Sequence, residues 1–513
     1  MTVRWGRCSN FKKCTDAKKK QHIPIPQGEA FICPECSEPL LAENDLTPRM
    51  EDAAPVKKRP STLVAVVVLL LLAVVAGFTA WGRLYSANAA VDKNQPKTIL
   101  RLAGSNTIGD TLGPALAEAF LKAQGAANVH TIAGSNPQEK IVEGQLPGES
   151  IASRITVAAH GSATAFTALA ENGCDIGMAS RKIKPEEAAK LTALGDMSSV
   201  TSEHILGLDG IAVIVNASNP ADQLDKDKIR RIFSGEITDW SQVGSLSGAI
   251  KIYARNDNSG TYDTFKSLVL GGKPLAAGVQ RIEDSKALSD AVAADPYGIG
   301  FIGLPYIQSA KAVAVSDKGT QSLLPTRLTV GTEDYLLSRR LYLYTPANPA
   351  NKFARQFMEF ALSKAGQDVV GSSGFVAQNV AQVWQTVAEN APGDYKGLTK
   401  EANRLSLDFR FQSGKTDLDN KARVDLDRVV SLIADLKIPD SKIMLFGFSD
   451  SVGSPAINQA LSLSRAKAVE EQFAQRGMNP AIIRGYGSGM AVAADDSDEG
   501  LARNRRVEVW IKK

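Results

Sequence analysis

Residues 254–265 read ARNDNSGTYDTF, set between an alternating apolar run, AIKIY (249–253), and a helix-like run, FKSLVL (265–270). A cation, small hydroxyl residues and a glycine stand where a strand ends and a helix begins. At such a junction the first backbone N–H groups of the helix lack partners, and the helix dipole favours an anion. Ser and Thr are also the ordinary helix N-caps, so one junction decides little. The chain repeats the arrangement twice. Ala103-Gly104-Ser105-Asn106-Thr107 follows TILRL, and His160-Gly161-Ser162-Ala163-Thr164 follows RITVAA; each precedes a helical stretch. Three such junctions beside Arg255, whose guanidinium grips tetrahedral oxyanions with a two-pronged fork, predict an anion cradle. Asp257, two residues on, is expected to hold that guanidinium in place. A nucleophilic Ser259 is disfavoured, because NSGT lacks the GxSxG elbow. His130, His160 and His204 read as surface or packed residues rather than bases, so no enzyme activity is expected.

Around these junctions, residues 98–389 alternate short apolar strands with helical stretches, the pattern of a layered α/β domain. The runs AGSNTIGDTL, DIGMASRKIKPEEA, GLDGIAVIVNASNP, IRRIFSGEITDWSQVG, YARNDNSGTYDTFKSLVL and YGIGFIGLPYI resemble the PstS-like phosphate-binding proteins of bacterial ABC transporters. The resemblance implies a two-lobed, hinged periplasmic binding protein of type II, with inorganic phosphate or a related oxyanion held between the lobes. It implies donors from Ser105 and Thr107 in the first loop and Ser162 in the second. Arg255, Ser259, Gly260 and Thr261 would hold the anion from the other lobe, with Asp257 bracing Arg255. One departure stands out. Some family members place an aspartate after the Ser of the run Met178-Ala179-Ser180, where it accepts the proton of hydrogen phosphate and so excludes sulfate. Here Arg181 stands there. Arg181 is expected to strengthen general anion binding, which leaves phosphate against other oxyanions open.

The chain's 513 residues suit two to four domains, and 44% hydrophobic with 22% charged residues suits folded ones. A net charge of +4 is small for this length and argues against a general nucleic-acid role. Cys8, Cys14, Cys33 and Cys36 crowd the first forty residues, and Cys174 is the fifth. A disulfide-built protein would spread its pairs. Cys33-Pro-Glu-Cys36 is a knuckle that sets two thiolates on one tetrahedral zinc; Cys8 and Cys14 are spaced more widely than usual. A zinc-ribbon-like module over residues 1–45, stapled by structural zinc, is expected. Residues 63–81 (LVAVVVLLLLAVVAGFTAW) are uncharged and span roughly 28 Å as a helix, near the hydrocarbon thickness of a bilayer. The run is too long, and begins too late, for a cleaved signal peptide. Lys57, Lys58 and Arg59 before it predict a single-pass inner-membrane protein with a cytoplasmic N-terminus and periplasmic main domains. The expected order is module 1–45, linker 46–61, transmembrane helix 62–82, spacer 83–97, binding domain 98–389, linker 390–400 and a last domain, 401–513.

In that last domain KIMLFGF reads as a strand, Asp450 follows in a loop, and residues 458–475 read as an amphipathic helix with Arg465 near its start. Such a pair can grip a zwitterion, Asp450 taking an ammonium and Arg465 a carboxylate. It can equally form a structural salt bridge, and pattern alone favours the second. The pieces FRFQSGKTDL, FSDSVG, NQALSLSRAKAV, IRGYGSG and ARNRRVEVWI resemble the OmpA-like peptidoglycan-binding domain, an α+β fold. The resemblance implies that Asp450 and Arg465 hold the diaminopimelate of a peptidoglycan stem peptide, with Asn458 and Arg505 at recurring positions nearby. Phe448 stands for a usual histidine and Leu501 for a usual arginine. The expected function is a membrane-anchored periplasmic phosphate binding protein or sensor that also binds peptidoglycan, with an unidentified cytoplasmic protein partner for the N-terminal module. The alternatives are a structural envelope tether with a vestigial or different-ligand anion site, and a substrate-capture component of a phosphate ABC transporter.

Overall fold

Alternation in the sequence places the strands, and the order in which they pair sets the lobes. A computed structural model describes residues 3–8, 14, 22–26, 30–37, 39–42 and 95–513, apart from 245, 258 and 412–416. The chain divides into two units, Met1–Val91 and Asp92–Lys513. The apolar run at 63–81 lies outside the described residues; among those described, no helix is long and apolar enough to cross a membrane.

In the first unit, Val3–Arg7 pairs antiparallel with His22–Pro26 on one side and Leu41–Ala42 on the other. Its small core joins Cys8, Cys14 and Cys33 with Ile23, Ile25 and Leu40.

In the second unit one sheet of eleven strands runs through two lobes. The first lobe holds Ile176–Ala179, Lys97–Gly104, Ser153–Ala158, Glu139–Gln145 and Ala127–Ala133 in that order; the second holds Gly298–Gly303, Lys251–Ala254 and Gln280–Arg281. Two strands join the lobes. Glu203–Val215 is thirteen residues long and almost wholly buried, as its near-continuous apolar run requires of a strand covered on both faces. Its early part pairs with Ser338–Tyr344 and its later part with Gly298–Gly303. Helices cover each lobe, and their apolar stripes build separate cores around Phe120 and Phe357 in the first and Phe233, Phe265 and Phe301 in the second.

A further sheet of five strands forms the C-terminal domain in the order Gln382–Val383, Ala402–Arg410, Arg506–Lys512, Ile443–Gly447, Ile482–Gly485. Helices Asn420–Asp435 and Pro455–Ala474 bury Val429, Ile433, Ala466, Val469 and Phe473 on one face. Residues 390–400, read as a linker, carry a helix, Gly393–Thr399, whose Tyr395 packs on Phe446, Phe448 and Trp510 of the other face. The short helix Asp498–Asn504 lies between the strands Ile482–Gly485 and Arg506–Lys512.

This domain sits directly on the two-lobed one. A seam of buried charges joins them: Arg404 lies 2.8 Å from both Asp334 and Asp408, and Arg506 lies 2.9 Å from Glu508. Arg340 pairs with Glu333 at 2.9 Å and Asp419 at 2.8 Å. Burial works to lower the Arg404 pKa, but Asp334, Asp408 and Glu508 hold it well above the usual guanidinium value.

Candidate functional sites

The anion cradle is assembled from both lobes. Gly104 ends its strand at φ +134°, where a Cβ would lie 2.0 Å from the Met178 carbonyl. The glycine thus lets Ser105 N–H reach Met178 O at 2.8 Å and lets Gly104 O accept from Gly161 N–H at 2.8 Å. These bonds stitch the first two junctions together. Ser162 Oγ then accepts from Ser180 N–H at 3.0 Å and lies 3.2 Å from Ser180 Oγ. From the second lobe, Ser259 caps the helix Gly260–Phe265, its Oγ accepting from Thr261 and Tyr262 N–H. A Cβ on Gly260 would lie 2.5 Å from Ser180 Oγ and 3.7 Å from Ser162 and Thr107 Oγ atoms, so the lobes meet there.

Thr107, Arg255, Ser259 and Thr261 line one cavity of about 310 Å³, together with Asp110, Glu283, Asp284, Ser285 and Tyr306. Ser105 Oγ and Arg255 Nε are buried without a hydrogen-bond partner. Burial is the main cause that lowers the Arg255 pKa, and the nearby Arg339 charge adds to it.

Ser105, Ser162 and Gly260 close the cradle without lining this cavity, and two further expected members lie away from it. Asp257 does not brace Arg255: it is exposed and pairs with Arg281, while Arg255 donates to Ser285 Oγ. The chain turns at Asp257, so the two-residue offset no longer points both side chains one way. Arg181 forks onto Glu187 at 2.8 and 2.6 Å and lies over the Phe166 ring, and it is absent from the cavity lining.

One residue the sequence reading missed stands at the centre. Arg339, 6% exposed, donates to Asp209 (2.6 and 3.0 Å), Gly260 O (2.8 Å), Thr264 Oγ1 (3.1 Å), Thr261 Oγ1 (3.0 Å) and Thr107 Oγ1 (3.2 Å). It ties both lobes to the joining strands. A charged pair inside otherwise apolar strands, Asp209 in GLDGIAV and Arg339 in SRRLYL, was the signal available.

In the C-terminal domain, Asp450 follows its strand as expected. It accepts from Val452 N–H at 3.1 Å and pairs with Arg505, not Arg465, at 3.2 Å. Arg465 is 1% exposed and donates to Phe448 O at 3.3 Å. Its pKa is pushed down to about 10 by burial, against the pull of Asp450. Ser449 Oγ, Asn458 Oδ1, Arg465 Nε and Arg505 Nε are all buried without partners. Phe448, where a histidine was expected, stacks under Arg506 at 3.9 Å.

In the first unit, the sulfurs of Cys8, Cys14, Cys33 and Cys36 all lie within 4.8 Å of one another. Cys8–Cys36 and Cys14–Cys33 are 3.5 and 3.6 Å apart. Four thiolates on a tetrahedral ion at a bond length of about 2.3 Å sit about 3.8 Å apart, so these four could hold a metal ion.

Residues 121–365 match the model of the PBP superfamily domain, and residues 410–505 match that of the OmpA family. The phosphate-binding protein PstS of Staphylococcus aureus (strain USA300) is 32% identical over 233 residues, covering 44% of this chain and 69% of the relative. Among solved structures, an ABC-type phosphate transport receptor from Vibrio cholerae is 22% identical, with 54% of this chain and 99% of that one covered and a TM-score of 0.43. PstS from Borrelia burgdorferi is 22% identical, with 55% and 98% covered and a TM-score of 0.39. The chain belongs to the PstS-like family of periplasmic-binding-protein-fold proteins and carries an OmpA-family domain after that region.

Proposed function

We propose that the chain is an envelope protein that binds inorganic phosphate between its two lobes and a diaminopimelate-bearing peptidoglycan stem through its C-terminal domain. The observation that carries the first half is the shared cavity: Thr107, Arg255, Ser259 and Thr261 converge on it, and the half-buried Arg255 keeps a covered Nε–H without a partner. Ser105, Ser162 and Gly260 belong to the same cradle through the contacts that close it. A tetrahedral oxyanion supplies the acceptors that these donors require. With Arg181 engaged by Glu187, a hydrogen-phosphate proton finds its acceptor among Asp110, Glu283 and Asp284 of the cavity. Calorimetric titration of the full chain with phosphate, sulfate and arsenate tests this reading. Phosphate binding that is lost in Arg255→Ala supports it; no heat with any anion leaves the tether reading instead.

For the second half, Asp450 would take the ammonium and Arg465 the carboxylate of diaminopimelate, with Asn458 and Arg505 completing the site. Pull-down by peptidoglycan that survives Asp450→Ala refutes that grip. Residues 63–81 would anchor the chain in the inner membrane. Cys8, Cys14, Cys33 and Cys36 would hold structural zinc on its cytoplasmic side, with one zinc per chain expected by elemental analysis and none in Cys33→Ser/Cys36→Ser. A signalling role, in which lobe closure changes what the wall anchor meets, suits this arrangement better than a feeder for a permease, since a wall-bound domain diffuses little.

A further inference from the structure

We propose that the C-terminal domain is a clamp across the anion cleft, so that phosphate and the peptidoglycan stem each tighten the other's binding. The proposal rests on the two ligand readings above. A hinged binding protein works by moving one lobe against the other. Any body attached to both lobes and to the hinge must therefore be strained or released by that movement.

The C-terminal domain is attached in all three places. On the first lobe, Asn420 Nδ2 donates to Ser198 O at 2.9 Å, and it also reaches Glu203 Oε1, at the head of the joining strand, at 3.1 Å. On the second lobe, Ala494 N–H donates to Asp317 Oδ2 at 3.3 Å, and the fully buried Ala493 packs into that lobe's core. On the hinge, Arg503 donates to Glu333 O (2.7 Å), Tyr335 O (3.0 Å), Ser338 Oγ (2.8 Å) and Ser338 O (3.0 Å).

Both ligand sites adjoin these attachments. Ser338, gripped by Arg503, is followed directly by Arg339, which holds Thr107 and Thr261 of opposite lobes. On the other side, three consecutive residues have three tasks. Arg503 binds the hinge, Asn504 binds Ala493 O and Asp495, and Arg505 pairs with Asp450 of the stem grip. Asp495 in turn accepts from Ser451 N–H, next to Asp450, at 2.6 Å. A ligand drawn between Asp450 and Arg465 acts on the loop that also rests on the second lobe. The clamp is seated while Gly260 lies against Ser180, that is, with the lobes in contact. The seated clamp therefore favours the closed cleft, and the coupling is positive.

Linkage of this kind is reciprocal: each ligand changes the other's affinity by the same factor. The test titrates the full chain with inorganic phosphate, with and without a saturating soluble muropeptide that carries diaminopimelate, and then in the reverse order. We expect a gain of roughly fivefold or more, equal in both directions. In Arg503→Ala, or in Asn420→Ala should the first variant not fold, each ligand still binds and the mutual gain falls toward one. Two affinities that ignore each other overturn the clamp and leave the ligand readings standing. A gain that survives both variants overturns it equally. Failure of either ligand to bind at all overturns the ligand reading, and the clamp with it.

Discussion

Two groups of arginines divide the labour of this molecule. At the seam, Arg404 and Arg506 are 3% and 2% exposed and face carboxylates: Asp334, Asp408 and Glu508. At the two candidate sites, Arg465 is 1% exposed and Arg255 is half-buried with its Nε covered, yet among the described residues neither has a carboxylate within ion-pair distance. The contrast shows in their proton affinities. Carboxylates outweigh burial at Arg404 and raise its pKa, whereas burial prevails at Arg255 and Arg465 and lowers theirs. The internal carboxylates make the seam arginines scaffold, and the proposed anions would supply to Arg255 and Arg465 the counter-charge they lack, where the low dielectric strengthens it. Counter-charge alone does not sort the roles: Arg339 pairs with Asp209 at the cradle, and Arg503 directs its donors to hinge carbonyls and Ser338.

The sharpest way to break this comparison is to remove one member of each group. Arg404→Met leaves Asp334, Asp408 and Glu508 facing fewer cations in a dry seam. A buried pair broken on one side costs about 3–5 kcal/mol, so urea unfolding of the full chain should show a loss of that order. Arg465→Met removes a buried cation that lacks an ion-pair partner and should leave stability unchanged or slightly higher, while peptidoglycan pull-down is lost. Equal destabilisation by the two variants would erase the distinction. Arg255→Ala should lower phosphate affinity about 10- to 150-fold in calorimetry, the equivalent of about 1.5–3 kcal/mol for a charge-assisted bond. Asp257→Ala, at a residue bonded to Arg281 instead, should change it less than about twofold; a loss matching that of Arg255→Ala would restore Asp257 to the site.

These same residues show what the sequence made legible. The three hydroxyl-and-glycine junctions were readable because N-cap chemistry and glycine conformation are local. The structure brings Thr107, Ser259 and Thr261 to one cavity with Arg255. Arg339 was passed over as a site residue, because the signal it carries depends on Asp209, 130 residues earlier, and SRR before an apolar run looks like a solvated strand edge. Arg181 and Asp257 were misplaced for a related reason: each has a nearer partner, Glu187 and Arg281, that motif spacing does not reveal. Residues 390–400 looked like a linker because of their Pro and Gly, while Tyr395, with Leu398 beside it, packs the helix onto the sheet. The seam was invisible altogether. Its charges lie on segments from two families, and only their docking makes Asp334 a partner of Arg404.

A cation that is buried without a carboxylate has one further recourse if its proton is labile, and His204 provides the case. It lies on the strand Glu203–Val215, opposite Leu343 and next to Glu203, which receives the Asn420 contact of the clamp. Burial lowers its imidazole pKa, partly opposed by a hydrogen bond to the Thr201 backbone. The neutral ring is thus the form the fold prefers. The sign follows: with the folded value below the unfolded one of about 6.5, the contribution to stability is complete above that pH and is lost as pH falls through the folded value. Arginine cannot respond in this way, because its proton stays on throughout the range. Thermal melts of the full chain should therefore show a lower Tm at pH 5 than at pH 7, and His204→Gln should reduce that difference. The part it removes is bounded by about 1.4 kcal/mol for each pH unit between the two pKa values. An identical pH dependence in the variant would mean that the acid sensitivity of the joining strands comes from the seam carboxylates, and that the rule drawn from Arg255 and Arg465 does not extend to histidine.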